Sequence, residues 1–336
     1  MKKRKPIAFA LILVIAGAVV FLAGLILNGS APSPLLKAEE NTYVIDEPFT
    51  DIKIDMGSAD IAIEKTDGEA RVETRVYGAL KPEIRVKDGV LTVSTDERPH
   101  FGLHLFTDRI TVYLPGGSCE SADIELSSGS VTVSGVSFAG HLDAEATSGS
   151  IRLSGVSCGG KLEAETTSGS IRLDGVSCEG DLKAETTSGS IHLSDISCGG
   201  KLEAETTSGS IRLSGVSCEG DLKAETTSGS ISLSAFSTPG NAALTVTSGS
   251  VSVKELTAAH LNAKTTSGSI RLDRCDAKTL NLKTTSGSVK GSIVGSRVFV
   301  CSSTSGSIHV PETAEGGKCV IKTGSGSIDI EISMPR

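Results

Sequence analysis

The tripeptide Ser-Gly-Ser followed by a β-branched residue constrains this chain more than any other feature of its sequence. The central glycine occurs eleven times, at intervals of 20 residues and, near the C-terminus, of 19. These glycines are Gly129, Gly149, Gly169, Gly189, Gly209, Gly229, Gly249, Gly268, Gly287, Gly306 and Gly326. A fixed period of this length is typical of a solenoid, in which each repeat forms one coil that stacks on the previous one.

Within one period, apolar and polar residues alternate. In the period from Ile171 to Ser190, Leu173 and Leu182 belong to the apolar set, whereas Arg172 and Lys183 belong to the polar set. Period-two alternation places the two sets on opposite faces of a strand, and glycine and serine between the strands permit the turns. We therefore predict an all-β, single-chain β-solenoid (β-helix) with coils of about 20 residues.

The N-terminal segment predicts a membrane anchor. Residues 1–6 are a basic leader that carries four cations, and residues 7–27 are uncharged and long enough to cross a bilayer as a helix. The apolar run of a cleaved signal peptide is shorter, so we favour an uncleaved transmembrane helix. Because the cations stay on the cytoplasmic side, the rest of the chain is expected outside the cell membrane. Residues 28–41 read as a stalk.

The remaining residues divide into two parts. We expect residues 42–114 to form irregular N-terminal β-coils and a cap, because the strand pattern is less regular and six of the eleven Phe and Tyr residues lie there. Ile52 to Ile63 contains a degenerate first copy of the turn-strand signal. Residues 115–332 are predicted to form the regular solenoid, ending on a strand in which Asp329 and Glu331 protect an exposed edge.

The repeated Ser-Gly-Ser-Ile/Val signal follows the strand Arg109-Ile110-Thr111-Val112-Tyr113-Leu114-Pro115. Together, this strand and the repeats resemble the bacterial "putative adhesin" family of β-strand-repeat envelope proteins. The resemblance covers Thr42 to Ile332. It implies an envelope protein, often with one N-terminal membrane helix, and it transfers no functional residues. The family often has Asp after the glycine, where this chain has Ser.

Two outward columns of charged residues alternate in sign between Ile151 and Ser230. The first column is Lys161, Asp181, Lys201 and Asp221, and its neighbour is Glu163, Lys183, Glu203 and Lys223. Every vertical neighbour is therefore of opposite sign, and each exposed contact is worth less than about 1 kcal/mol. We interpret these columns as favouring correct stacking rather than as a ligand site.

A third column carries one sign only. Its members are Glu145, Glu165, Glu185, Glu205 and Glu225, and we expect Arg152, Arg172 and Arg212 to compensate it across the turn. Calcium is the alternative, because hard cations take carboxylate oxygens. The Asp-rich, glycine-spaced calcium nonapeptide is absent, so a solvated acidic ridge is the preferred interpretation.

Eight cysteines follow the membrane segment: Cys119, Cys158, Cys178, Cys198, Cys218, Cys275, Cys301 and Cys319. Stacked cysteines have Cα atoms close enough for a disulfide, but their parallel Cβ vectors oppose the required dihedral angle. We favour buried free thiols, with disulfides between coils as the alternative. No Cys-x-x-Cys occurs, so a zinc or redox motif is unsupported.

The remaining polar residues do not indicate a catalytic or ligand-binding site. A threonine column (Thr147, Thr167, Thr187, Thr207, Thr227, Thr247, Thr266, Thr285 and Thr304) is interpreted as part of the turn ladder rather than an ice-binding surface. His100 and His104 would bind metal together only on a helix, and we expect a loop there. No nucleophile, phosphate-loop or metalloprotease motif is present, so we predict no enzyme activity, catalytic residue, cofactor or metal.

The composition argues against two classes of binding partner. The formal net charge of −8 argues against nucleic acid, and 3% aromatic residues argues against a sugar-binding cleft. We expect a membrane-anchored extracellular surface protein, an adhesin or interaction scaffold with a cell-wall or host-surface ligand. The alternatives are a self-assembling structural envelope element, in which coils add end to end, and an envelope-stress or regulatory accessory protein without catalysis.

Overall fold

The computed structural model describes residues 38–77, 81–95 and 107–334. Within these ranges, no helix is long and apolar enough to cross a membrane. The basic leader, the predicted span at 7–27, most of the stalk, His100 and His104 all lie outside the described residues.

The described residues form strands. They are β1 (Ala38–Val44), β2 (Asp51–Ser58), β3 (Asp60–Thr66), β4 (Arg71–Tyr77), β5 (Glu83–Lys87), β6 (Val90–Ser94), β7 (Arg109–Pro115), β8 (Ser118–Cys119), β9 (Ser121–Ser128), β10 (Val131–Ser134), β11 (Ser137–Phe138), β12 (Leu142–Ser148), β13 (Ile151–Ser154), β14 (Ser157–Cys158), β15 (Leu162–Ser168), β16 (Ile171–Asp174), β17 (Ser177–Cys178), β18 (Leu182–Ser188), β19 (Ile191–Cys198), β20 (Leu202–Ser208), β21 (Ile211–Cys218), β22 (Leu222–Ser228), β23 (Ile231–Ser237), β24 (Asn241–Ser248), β25 (Val251–Ser267), β26 (Ile270–Ser286), β27 (Val289–Val294), β28 (Arg297–Ser305), β29 (Ile308–His309), β30 (Gly317–Ser325) and β31 (Ile328–Ser333).

Equivalent strands of successive coils pair in parallel, one full repeat apart, which confirms the predicted β-solenoid. Ile151 pairs with Ile171, Ile171 with Ile191, and Ile191 with Ile211, so that one isoleucine lies above the next. These isoleucines are completely buried, as are the leucines and alanines of the other apolar columns. The core is therefore a set of vertical apolar columns enclosed by the coils.

The Ser-Gly-Ser corner brings successive backbones into direct contact. A Cβ atom built on Gly189 would lie 1.8 Å from the carbonyl oxygen of Gly169, and Gly189 has a φ of +156°. Other glycines of this column show the same close approach, so glycine is required there by the neighbouring coil as well as by the backbone angle. This contact sets the spacing of the coils at that corner.

Hydroxyl groups on both sides of this glycine link each coil to the previous one. The buried Thr186 donates from Oγ1 to the carbonyl oxygen of Gly169 at 2.9 Å. The backbone N–H of Ser190 lies 3.3 Å from Oγ of Ser170. Both contacts recur along the array, so the Thr-Thr-Ser-Gly-Ser sequence satisfies polar backbone groups at a crowded corner.

A second corner in each coil contains a residue in the left-handed backbone conformation. The neighbouring coil does not approach this residue closely. Gly175 has a φ of +60°. The atom nearest to a Cβ built on Gly175 would be 3.9 Å from it. The same place in later coils is occupied by Asp195, Ala235 and Glu255, all with φ near +53°. Side chains are tolerated at this corner because the neighbouring coil leaves room for them.

At the N-terminal end the spatial order of strands departs from the sequence. Strands β2 and β3 pack directly on β9 and β10 of the regular array, and β6 and β7 lie outside them. Antiparallel strands form the ends of the two stacks. Strand β5 pairs with β6 in one stack, whereas in the other stack β4 pairs with β7 and β1 pairs with β4. Val72 of β4 is completely buried, so these strands cover the end of the core.

At the C-terminal end, too, the strands do not stack in the order of the sequence. The prediction that the last strand of the chain forms an exposed edge is wrong. The last strands, β30 and β31, insert between β26–β27 on one side and β28–β29 on the other. Asp329 and Glu331 therefore lie in an internal strand. The outermost coil is β28–β29, which the chain forms before it returns to fill the gap.

We predict that Gly189→Ala destabilises the protein by about 3 kcal/mol or more, because the methyl group meets the backbone of the previous coil. The matched variant Gly175→Ala should cost only about 1 kcal/mol, since the left-handed angle is strained but the space is open. Thermal unfolding followed by circular dichroism measures both. Equal losses of stability in the two variants would contradict the close contact at the Ser-Gly-Ser corner.

Candidate interaction surface

One stack of strands presents a continuous column of carboxylates. The glutamate column consists of Glu125, Glu145, Glu165, Glu185, Glu205 and Glu225, each paired in register with the next. It extends the five predicted glutamates by one coil. With the exposed threonine column beside it, it lines two open depressions with volumes of 330 Å³ and 210 Å³.

Lysines of the neighbouring column neutralise the glutamate column in part. Lys183 forms ion pairs with Glu165 and, at 3.0 Å, with Glu185. Lys223 repeats the arrangement one 40-residue unit later, at 2.5 Å from Glu205 and 3.9 Å from Glu225. The hydrogen bond to Glu165 raises the pKa of Lys183, so this lysine stays charged.

The alternating columns are in the predicted register, but their contacts differ from the prediction. Glu163 lies beside Lys183 in the ladder, yet Lys183 bonds diagonally to the glutamate column, and Glu163 bonds Lys161 at 2.5 Å. Asp181 accepts the backbone N–H of Lys201 at 2.7 Å instead of pairing with its side chain. The aspartates thus fix the corner between coils.

Sign alternation fails at Asp143, where three acids follow one another. Asp123, Asp143 and Glu163 are stacked, and Asp143 Oδ1 is buried with no hydrogen-bond partner among the described residues. Burial, and then the charges of Glu163, Glu145 and other acids nearby, raise the pKa of Asp143 from 3.8 to about 6. Across the described ranges, no three His, Cys, Asp or Glu side chains are arranged to hold a metal ion.

A basic column lies on a different stack of strands. The arginine column consists of Arg152, Arg172, His192 and Arg212, which pair in register through β13, β16, β19 and β21. Burial and the charges of Arg212 and Arg172 lower the pKa of His192. Among the residues the structure describes, none of the three arginines forms an ion pair.

The predicted compensation of the glutamate column by these arginines is therefore wrong. The Ser-Gly-Ser corner separates the two columns, so that the glutamates project from β12, β15, β18, β20 and β22 whereas the arginines project from the following strands. The arginines point to a separate surface with its own like-charge column. The sequence signal for this surface was a basic residue immediately after the corner in four successive repeats, at Arg152, Arg172, His192 and Arg212.

The cysteines are free, which confirms the preferred interpretation. Cys158, Cys178, Cys198, Cys218, Cys275 and Cys319 are buried, while Cys119 and Cys301 are half-buried. The thiols of Cys178 and Cys198 both lie near the carbonyl oxygen of Gly180, at 3.5 Å and 3.2 Å. Burial raises the pKa of Cys275 to about 12. The cysteine ladder therefore packs as part of the core.

A family model described as Toastrack DUF4097 matches residues 49–248 and 236–335. The chain belongs to the Toastrack DUF4097 family. This finding confirms the family resemblance that the sequence indicated. No curated protein matches the chain.

Solved structures with similarity to the chain include three proteins of low sequence identity. A "putative adhesin" from Bacteroides fragilis is 14% identical, with 90% of this chain and 100% of that chain covered and a TM-score of 0.38. A "putative adhesin" from Parabacteroides merdae is 17% identical, with 90% and 97% covered and a TM-score of 0.29. A "putative cell adhesion protein" from Clostridium sporogenes is 12% identical, with 88% and 100% covered and a TM-score of 0.19.

We predict that Asp143→Asn stabilises the protein at pH 7 by about 1 kcal/mol, a value that allows for solvent screening at this partly exposed site. Between about pH 4 and pH 6 the folded protein holds a proton that the unfolded chain releases, so stability falls as pH rises through this window. The variant lacks this fall, and the two proteins should converge below pH 4. Denaturant unfolding across this pH range provides the measurement.

The matched control is Asp174→Asn, the same change at an exposed aspartate on the other stack. Because the carboxylate of Asp174 is exposed and accepts a hydrogen bond from the Ser194 hydroxyl at 2.8 Å, this variant should not reproduce the stabilisation expected of Asp143→Asn at pH 7. Parallel pH profiles for the parent and Asp143→Asn would show that the buried carboxylate carries no penalty.

Proposed function

We propose that this chain is a single-pass membrane protein that displays its solenoid outside the cell as an adhesin-like interaction module. Two features support the anchor and its orientation: the uncharged run at 7–27 and the four cations that precede it. The chain belongs to the Toastrack DUF4097 family. This membership supports an interaction role through the resemblance of the family to envelope proteins. We propose a non-catalytic role, because the outward residues of the regular array repeat from coil to coil, and no unique group of acid, base and nucleophile interrupts this repeat within the described residues.

The observation that carries the interaction role is the arginine column. Arg152 and Arg172 lie in neighbouring coils, and Arg212 lies two coils beyond Arg172. None of the three has an ion-pair partner within the described residues, although Arg212 contacts the intervening His192 at 3.4 Å. Guanidinium groups form strong, bidentate hydrogen bonds with carboxylate and phosphate groups. A ligand with anionic groups would therefore gain contacts that the protein itself does not supply.

The spacing of the column favours a polymer. Neighbouring coils lie about 4.8 Å apart, so the four residues from Arg152 to Arg212 extend over roughly 14 Å along the solenoid. The surface is open, and a linear chain with repeated anionic groups can lie along it. We propose an anionic polymer of the cell wall or of a host surface as the ligand. Nucleic acid fits less well, because the chain is acidic overall and has few aromatic residues for base stacking.

The triple variant Arg152→Gln, Arg172→Gln, Arg212→Gln should lose binding to purified anionic cell-wall polymer by at least about tenfold, because each lost charge-assisted bond is worth roughly 1 kcal/mol at an exposed site. Binding of the parent protein should weaken as salt rises. Sedimentation of the protein with insoluble polymer measures both effects.

The matched control neutralises three exposed lysines on the other stack: Lys161→Gln, Lys201→Gln and Lys264→Gln. It changes the net charge equally and should bind like the parent. Equal losses in both triple variants would mean that overall charge, and not the arginine column, determines binding.

The anchor makes a separate prediction. Full-length protein should fractionate with membranes, and externally added protease should degrade the solenoid on intact cells while a cytoplasmic marker survives. Recovery of the chain in the medium without residues 1–27 would contradict an uncleaved anchor. A regulatory accessory role, the other alternative from the sequence, stays a prediction.

A further inference from the structure

The core of the solenoid is open at its C-terminal end. In the isoleucine column, Ile270, Val289 and Ile328 are completely buried, but the last member in space, Ile308 of β29, is 43% exposed. Phe299 and Cys301 of β28 are only half-buried, although Cys319 and Ile321, their neighbours in β30, are completely buried. Apolar side chains thus face out of the end of the stack.

The backbone of this outer coil also has unused pairing capacity. Strand β28 pairs with β30 and β29 with β31, and neither has a partner on its other side among the described residues. Residues 298–311 contain no Asp, Glu, Lys or Arg. Proteins commonly protect edge strands with charges, and this edge lacks them.

The N-terminal end does not share these properties. Antiparallel strands cover its core, and its edge strand β5 carries Glu83, Arg85 and Lys87. The other edge strand, β1, carries Glu39 and Glu40. A head-to-tail filament would need the open end of one copy to fit this charged, antiparallel end of the next.

We propose that two copies of this chain associate through their C-terminal ends, with β28 of each copy pairing antiparallel with β28 of the other about a two-fold axis. The same uncharged edge is presented by both copies, so no like charges meet, and each core end covers the other. Because the N-terminal ends are closed, association stops at the dimer. This inference goes beyond the proposed ligand binding and does not depend on it.

The size of the end face predicts a weak dimer. Strands of about eight residues and two layers of strands give an end face on the order of 500 Å² per copy. Stable interfaces bury about 800 Å² per partner, so the affinity should lie in the micromolar range.

The test uses full-length protein in detergent micelles, with sedimentation velocity over protein concentrations from about 1 μM to 100 μM, the range in which a micromolar dimer populates. The parent protein should convert from monomer to dimer and go no further. Ile308→Asp should remain monomeric, because it places a charge in the contact. The control Val44→Asp alters an equally exposed residue, 45% against 43%, at the other end of the solenoid and should dimerise normally.

Cross-linking identifies the contact independently of stability. Cys301 lies at the middle of β28, so antiparallel pairing about a two-fold axis brings the two copies of Cys301 together. A short bis-maleimide should cross-link the parent as a dimer, Cys301→Ser should abolish the product, and Cys119→Ser, the other half-buried thiol, should leave it unchanged. A monomer at every concentration, larger oligomers, or cross-linking that survives Cys301→Ser would overturn the proposal.

Discussion

The direct contact of successive backbones at the Ser-Gly-Ser corner determines the rest of the structure. With no side chain at Gly169 or Gly189, one coil can approach the next until its carbonyl oxygen occupies the place of a Cβ atom. The buried threonine and the following serine then satisfy the polar groups that this approach crowds together. Because the contact recurs in every repeat, the coils stack in one register, and every residue lies above its equivalent.

In-register stacking converts a short sequence repeat into columns of identical chemistry. An inward position becomes a continuous apolar column that excludes water, and stacking supplies most of its burial. An outward position becomes a column of charge, which is stable only where neighbours differ in sign or a diagonal partner exists. Lys183 and Lys223 meet this need for the glutamate column, whereas no described residue of opposite charge compensates Asp143 or the arginine column. These two places are where the repeat departs from the arrangement that stability alone would favour.

Much of the architecture could be predicted from the sequence because its period and alternation are local signals. Glycine spacing predicted the coils, and the apolar set around Ile171 and Leu182 predicted the core. The order of coils at the two ends could not be predicted, since every repeat carries the same pattern and any coil fits on any other. The partner of Lys183 and the surface on which Arg172 lies depend on side-chain reach and on the angle of the corner, which sequence spacing does not contain.

The stacking of coils at a constant spacing can be tested most directly by distances between spin labels. Labels introduced with a noncanonical amino acid at the exposed threonine positions leave the cysteines untouched. Dipolar spectroscopy should give about 19 Å between positions 147 and 227, four coils apart, and about 29 Å between 147 and 266, six coils apart, plus a constant contribution from the labels. A difference between the two distances that departs clearly from two coil spacings, about 10 Å, would contradict the stacked solenoid.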